Sequence, residues 1–218
     1  MEYRPLRRLV RWLSGLLVLC LFLRLVSFVA IAASLVAPHF SWSFFQSANY
    51  TYVLIASGLA SRFAPLAELA MAVVWLVWFR AAYRNLRALT GKPLGRSLAW
   101  AVLGWILPIV NLVLPYRLLS EVWYESIEQF DPEDDRKFVV VQLWMAAWVG
   151  HFLSLLALFI FMRWLWNHQN AYEILQRILA AEAATSAVAI ALALVIAREI
   201  SRKEDHYHET GAVARVFR

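Results

Sequence analysis

Three ionisable side chains and one amide stand inside apolar stretches of this sequence, where a lipid environment would strengthen any chemistry they perform. Arg24 lies in the first long apolar run, Glu68 in the second and His151 near the middle of a later one. A charge at the centre of a bilayer costs about 2.5 to 3.5 kcal/mol on insertion scales, so Arg24 needs a partner or a route to water. Asn111 interrupts the proline-flanked run LPIVNLVLPY and has both donors and an acceptor. These four residues form a candidate intramembrane polar site.

Each of these residues also has a simpler interpretation. Arg24 and Glu68 would form an ion pair if adjacent antiparallel helices carried them to similar depth, but snorkelling to water explains them equally well. His151 would relay protons or bind a metal, although a lone histidine in a span is more often a hydrogen-bonded packing residue. We expect no catalytic residue, no metal and no cofactor. The sequence also lacks the Walker A, G-x-G-x-x-G, H-E-x-x-H and G-x-S-x-G motifs, so it is not expected to be an ordinary hydrolase or nucleotide enzyme.

The composition indicates the environment in which these residues act. Hydrophobic residues make up 62% of the 218-residue chain, which includes eleven tryptophans, and this exceeds the share of a soluble globule. The net charge of +6 would suit nucleic acid, but the basic residues flank apolar segments instead of forming one patch, so no nucleic acid partner is expected. The single cysteine, Cys20, excludes an intramolecular disulfide. The sequence predicts an all-α integral membrane protein in a lipid bilayer.

Apolar runs of sufficient length predict four transmembrane helices in one membrane domain. A bilayer is crossed by about 20 apolar residues. The predicted spans are residues 12–37, 63–79, 139–162 and 178–197. The apolar stretch 52–60 is too short to span and is expected to lie along the outer surface. Small residues recur every four positions in the last span, which allows close helix approach; they are Ala181, Thr185, Ala189 and Ala193.

The segment 98–116 is broken by proline and decides the topology. Proline lacks an N–H and clashes with the preceding turn, so this segment suits a re-entrant or interfacial bend. If it returns to the side on which it enters, Lys and Arg concentrate on one side, which the positive-inside rule places in the cytoplasm with both termini. The alternative is a kinked fifth transmembrane helix. The structural motif of this break comprises Trp105, Pro108, Asn111, Pro115 and Tyr116.

Charged residues flank this broken segment. Arg80, Arg84 and Arg87 recur at helical spacing and form a basic stripe that would hold anionic lipid head groups, although topological retention explains them as well. After the break, residues 117–130 predict an amphipathic interfacial helix with apolar and acidic faces. The acidic residues from Glu121 onward would dock against the stripe. The polar tail 198–218 is expected to be solvated.

Two motifs carry a resemblance to a known family. The order WFRAAYRNLRAL from Trp78, then WILPIVNLVLPYR from Trp105, then Glu-Val-Trp from Glu121, resembles an uncharacterised bacterial multi-pass membrane family, domain of unknown function 4328. The resemblance runs from the second span to Lys203, where glutamine would be expected. It implies a bacterial membrane protein and supplies no mechanism.

These observations predict a non-enzymatic interaction or accessory component of the bacterial inner membrane, with a membrane protein partner or a homo-oligomer as its assembly. The alternative is a small oligomeric transporter or channel with a polar pathway near residues 105–116. Four spans are few for a lone transporter, so the alternative requires an oligomer.

Overall fold

The computed structural model describes residues 3–36, 48–91, 95–106, 110–127, 138–165 and 170–209. Within these ranges the chain forms helices and no strand. The helices are α1 (Arg7–Val36), α2 (Ala48–Thr90), α3 (Trp100–Ile106), α4 (Leu114–Ile127), α5 (Phe138–Ile160) and α6 (Ala171–Glu209). A 3-10 turn, Val110–Leu112, precedes α4, and a π-helical turn, Phe161–Leu165, follows α5.

Four of the described helices are long and apolar enough to cross a membrane. Their candidate spans are Arg7–Ala33, Ile55–Thr90, Val139–Trp164 and Ala171–His206. Helix α3 has 7 residues, or about 10 Å at 1.5 Å per residue, whereas the hydrocarbon core is about 30 Å thick. The prediction of an all-α protein with four spanning helices is therefore confirmed. No helix in the described ranges supplies a fifth span.

Helix α2 is much longer than the predicted second span. It runs without interruption from Ala48 to Thr90 and contains Pro65, so the prediction that stretch 52–60 lies apart from the span is wrong. Proline inside an apolar helix removes one backbone hydrogen bond, a loss that membrane helices tolerate. The helix ends at Thr90, and the next residue, Gly91, has a positive φ of 68°, which is readily adopted only by a residue without a Cβ.

The proline-broken segment forms two short helices that contact each other. A Cβ on Gly104 of α3 would meet the side chain of Leu114, the first residue of α4, at 2.9 Å, so the absence of a side chain lets the two helices approach. Pro115 is the second residue of α4. A backbone N–H in the first turn of a helix has no partner within that helix, so a proline there costs no hydrogen bond. Pro108 lies outside the described residues. The break is therefore a helix–turn–helix element between α2 and α5.

The end of α6 is not the solvated tail that the sequence predicts. The helix continues to Glu209, and Ser201, Glu204 and Asp205 are buried. The prediction is wrong for these residues because continued helical periodicity turns one polar stripe toward the protein interior. Residues 210–218 of the predicted tail lie outside the described part of the chain.

The chain divides into two compact units, and each long helix contributes residues to both. The first unit comprises Met1–Leu17, Ala70–Leu143 and Leu192–Arg218, and the second comprises Val18–Leu69 and Trp144–Ala191. The first unit has an aromatic core in which the Trp105 ring lies 5.5 Å from Trp75 and 5.4 Å from Phe79. The second unit contains the ionisable residues that the sequence places inside the spans.

Candidate functional site

The guanidinium of Arg24 is bound by two carboxylates in the second unit. Its Nε lies 2.6 Å from Glu68 Oε1, and its Nη1 lies 2.9 Å from Glu182 Oε2. Helices α1, α2 and α6 each supply one of these residues. Charge-assisted hydrogen bonds of this length are among the strongest in proteins, and two of them offset the cost of holding a guanidinium among apolar side chains. The structure thus brings Arg24 and Glu68 together and adds Glu182 as a second partner.

His151 joins this cluster through a close approach between α5 and α6. A Cβ on Gly150 would lie 3.1 Å from the Thr185 methyl carbon, so glycine makes room for the α6 side chain. The Thr185 hydroxyl donates to the backbone carbonyl of Ala181 within α6 and turns its methyl toward α5. This contact places His151 Nδ1 3.4 Å from Glu182 Oε1. The distance is that of an ion pair, but Nδ1 makes no hydrogen bond within the described residues.

The charges of this cluster do not cancel when histidine is neutral. Arg24 contributes one positive charge, and Glu68 and Glu182 contribute two negative charges if both are ionised. One proton, carried by His151 or by a carboxyl group, balances the set. An uncompensated charge is costly in low dielectric, so the arrangement can hold one proton. Within the described residues, no group of three or more His, Cys, Asp and Glu side chains is placed to hold a metal.

Asn111, the fourth residue of the predicted polar site, belongs to the first unit and is not one of the residues gathered around Arg24. It lies in the 3-10 turn and is buried, and its Oδ1 accepts no hydrogen bond from the described residues. Tyr116 is half-buried in α4. Trp105 serves the aromatic core of the first unit.

A second buried polar cluster lies in the first unit and centres on Asn85 of α2. The fully buried Asn85 accepts a hydrogen bond from the Arg4 backbone N–H at 3.2 Å and donates to the Arg4 carbonyl at 2.9 Å. Its amide also donates to Glu204 Oε2 of α6 at 3.0 Å. One side chain therefore fixes the segment before α1 and the end of α6 to α2. Nearby, the Trp78 indole donates to Ser201 at 2.9 Å.

Asp205 accepts hydrogen bonds from residues just before α1. It accepts hydrogen bonds from the Tyr3 hydroxyl and, at 3.2 Å, from the Leu6 backbone N–H. Arg7 Nε lies 3.5 Å from its other oxygen. Helix α1 has no acidic residue in its own first turn. A carboxylate near a helix N-terminus is favourable, so Asp205 supplies from α6 the negative charge that α1 lacks. Burial and the hydrogen bond to Asp205 raise the pKa of the Tyr3 hydroxyl.

The acidic helix and the basic stripe meet through a tyrosine in the first unit. Glu121 of α4 accepts hydrogen bonds from the Tyr83 hydroxyl at 3.2 Å and from the Gly95 backbone N–H at 3.0 Å. Tyr83 stands on α2 among the stripe residues. Arg80 and Arg87 remain exposed. The helix thus docks on the stripe helix, but its described carboxylate binds neutral donors instead of guanidinium groups. The charges of Arg80 and Arg87 stay available, whereas Arg84 is half-buried.

Glu182 and the polar residues of the first unit were not predicted from the sequence. Glu182 is the only acidic residue between Ile178 and Ala197, and it lies next to the predicted close-approach positions Ala181 and Thr185. An isolated carboxylate in an apolar span, beside a surface that contacts another helix, was the available signal. Glu204 and Asp205 offered no such signal because they stand in a strongly charged stretch.

The fold and the paired charges indicate the class of this protein, and a comparison with known families indicates its family. The four apolar helices and the charges paired between them make the chain a multi-pass, all-helical membrane protein. A family model described as Domain of unknown function (DUF4328) matches residues 46–204, so the chain belongs to this family. The match includes Glu68, His151 and Glu182 but not Arg24. Neither the curated proteins nor the solved structures contain a match to the chain.

Proposed function

We propose that this chain is a non-enzymatic interaction or accessory component of the bacterial inner membrane, with both termini in the cytoplasm. In this proposal the helix–turn–helix element from α3 to α4 enters and leaves on the cytoplasmic side. The basic face, defined as Arg80 and Arg87 of α2 together with Arg96 before α3 and Arg117 of α4, then meets anionic head groups or the acidic surface of a partner. The partner is another membrane protein or a second copy of this chain.

One observation supports this proposal above the others. The Glu121 carboxylate is bound by the Tyr83 hydroxyl and the Gly95 N–H and not by arginine, and the four arginines of the basic face are exposed. Each basic residue near an anionic surface contributes about 1 kcal/mol of attraction. In the second unit, by contrast, the Arg24 charge is taken up by carboxylates of the same protein. The basic face therefore carries charges that are free to attract another molecule.

Cysteine labelling in intact cells tests the proposed topology. In a Cys20→Ser background, cysteines at Tyr124 and Glu209 should resist a membrane-impermeant maleimide until the membrane is opened. A cysteine at Arg177 is the matched control and should react at once. Both test side chains and the control are exposed, so local burial does not explain a difference. Immediate labelling at Tyr124 and Glu209 would contradict the proposal.

Photo-crosslinking tests the interaction role. A benzoylphenylalanine at Arg87 should give a discrete adduct in cells, whereas the same group at Phe159, an exposed residue of an apolar span, should not. An adduct of twice the chain mass identifies a homo-oligomer, and another fixed mass identifies a partner. If Arg87 gives only the pattern of Phe159, the interaction role is wrong.

A small oligomeric transporter remains the second candidate, and the Arg24 cluster favours it because it can hold one proton inside the spans. Asn111 stands in the other unit, so this candidate depends on Arg24, Glu68, Glu182 and His151. Proteoliposomes with a pH gradient test it. Proton flux that the parent protein shows and Glu182→Gln lacks would support transport, whereas parent flux no greater than that of empty vesicles would exclude it.

A further inference from the structure

A small cavity opens on the helix–turn–helix element of the first unit. Its volume is about 220 Å³, which is below the roughly 300 to 1,000 Å³ of a pocket that encloses a drug-sized ligand. It can therefore hold only a part of a larger molecule. The lining residues are Arg96, Trp100, Val110, Val113, Leu114 and Arg117.

The cavity combines two cations with an apolar wall. Arg96 precedes α3 and Arg117 lies in the first turn of α4, and both are exposed. Neither guanidinium makes an ion pair with another described residue. Glu121 is close by in sequence and structure, but its carboxylate binds Tyr83 and the Gly95 N–H instead. The two guanidinium groups are therefore free to bind an anion at the cavity.

The surroundings of the cavity are apolar. Val113 is 52% exposed, and Leu103 and Ile106 of α3 are also exposed. Trp100 lines the cavity and is partly exposed, and tryptophan is a residue enriched where membrane meets water. An inorganic anion would use only the two arginines. A molecule with an anionic head and an apolar tail would use both the cations and the wall.

We propose that this cavity binds the phosphate of one anionic phospholipid between Arg96 and Arg117, with the start of its acyl chains against Trp100, Val113 and Leu114. Guanidinium groups bind phosphate through paired hydrogen bonds, and two of them specify a phosphate better than a diffuse basic surface does. The inference deepens the proposed function, on which it rests, by assigning a particular lipid site within the basic face.

Native mass spectrometry of the purified full-length chain tests this site. Titration with phosphatidylglycerol should fill one position before any other, and phosphatidylcholine with the same acyl chains should not. The double variant Arg96→Gln/Arg117→Gln should weaken the first binding event about 30-fold, since each basic residue contributes about 1 kcal/mol near an anionic surface. The comparison variant Arg80→Gln/Arg87→Gln removes the same charge from the rest of the basic face and should weaken the first event by less than about threefold, because these arginines do not line the cavity and act only at longer range.

The outcomes separate the site from the proposed function. If both double variants weaken phosphatidylglycerol equally, the particular site is wrong and the basic face stands. If neither variant matters and phosphatidylcholine binds as well, both the site and the lipid role of the basic face are wrong, while the crosslinking test of a protein partner is unaffected.

A third variant tests the apolar wall. Val113→Trp fills the cavity and keeps both arginines, and it should weaken the first phosphatidylglycerol about tenfold. Unchanged binding would overturn the contribution of the wall. Inorganic phosphate should fail to displace the lipid at equal concentration, and displacement would show that the site recognises phosphate alone. The substituted side chains are exposed, so helical circular dichroism should match the parent for every variant.

Discussion

The two units solve the problem of buried polar groups in different ways. In the second unit, Arg24, Glu68 and Glu182 satisfy one another through side chains alone. In the first unit, Asn85 and Asp205 satisfy backbone groups of the segment before α1. A set of side chains can be exchanged for another set of equal volume. A backbone amide cannot be removed by substitution, so the first unit depends on its polar residues more strictly than the second.

The largest effect is expected from removing the Arg24 charge alone. Arg24→Met leaves two carboxylates in an apolar environment, and breaking a buried ion pair in this way costs about 3 to 5 kcal/mol. Arg24→Met/Glu68→Gln/Glu182→Gln removes the whole charged set and should regain most of the loss. Unfolding by sodium dodecyl sulfate, followed by tryptophan fluorescence, measures both. A triple variant no more stable than the single one would show that the cluster does more than balance charge.

The second-largest loss of stability should come from replacing Asn85. Here, removing the whole polar set, as in the Arg24 triple variant, should not restore stability. Asn85→Leu leaves the Arg4 backbone N–H and carbonyl without partners, at about 2 to 3 kcal/mol. Asn85→Leu/Glu204→Leu/Asp205→Leu removes the other polar side chains but also orphans the Leu6 N–H, so it should be less stable still. The same detergent titration measures the two variants. Recovery of stability in this triple variant would contradict the proposal that the first unit depends more strictly on its polar residues than the second.

The close approach of α5 and α6 should contribute a smaller effect. Gly150→Val drives a branched side chain into Thr185, and overpacking of this kind costs about 1 to 3 kcal/mol. Gly15→Val is the matched control, since a Cβ there would meet no atom within 4 Å. The His151 imidazole should also shift its nuclear magnetic resonance signal in the first variant only. Equal stability of the two variants would contradict a tight helix contact at Gly150.

The smallest effect concerns Tyr3 and depends on pH. Tyr3→Phe removes one hydrogen bond to Asp205 and should cost about 1 kcal/mol near neutral pH. The pKa of Tyr3 is raised in the folded protein, so its stabilising contribution is complete below about pH 10, where the unfolded phenol begins to ionise, and is lost as pH rises further. The difference between parent and variant should therefore shrink above pH 10. Unfolding measurements at pH 7.5 and 10.5 would show it, and a constant difference would contradict the assignment.

Local patterns in the sequence were sufficient for the elements but not for their ends. Apolar length predicts four spanning helices, because this feature depends on neighbouring residues only. The same reasoning separated stretch 52–60 from its helix, since this apolar stretch is too short to span a bilayer by itself. It also assigned Glu204 and Asp205 to solvent, because a charged stretch looks solvated until a distant segment covers it.

The candidate site could be predicted only in part. The cost of a charge in lipid identifies Arg24 as a residue that needs a partner, and Glu68 is the single acidic residue in the second predicted span. Which helices are neighbours is a tertiary property, so neither Glu182 nor the position of His151 beside it follows from spacing. Asn111 was grouped with these residues because it is a polar residue in an apolar run. This criterion does not indicate the unit to which a residue belongs.

By itself, the sequence determined that this chain is an all-helical membrane protein and that a guanidinium inside it needs a partner or a route to water, because hydropathy and the cost of a buried charge are properties of the residues themselves. The tertiary structure decided the rest. It selected Glu182 as the second carboxylate, joined the start of α1 to the end of α6 through Asn85 and Asp205, and left Arg96 and Arg117 free at one cavity. Each outcome depends on which distant segments come into contact, and that is fixed only when the helices pack.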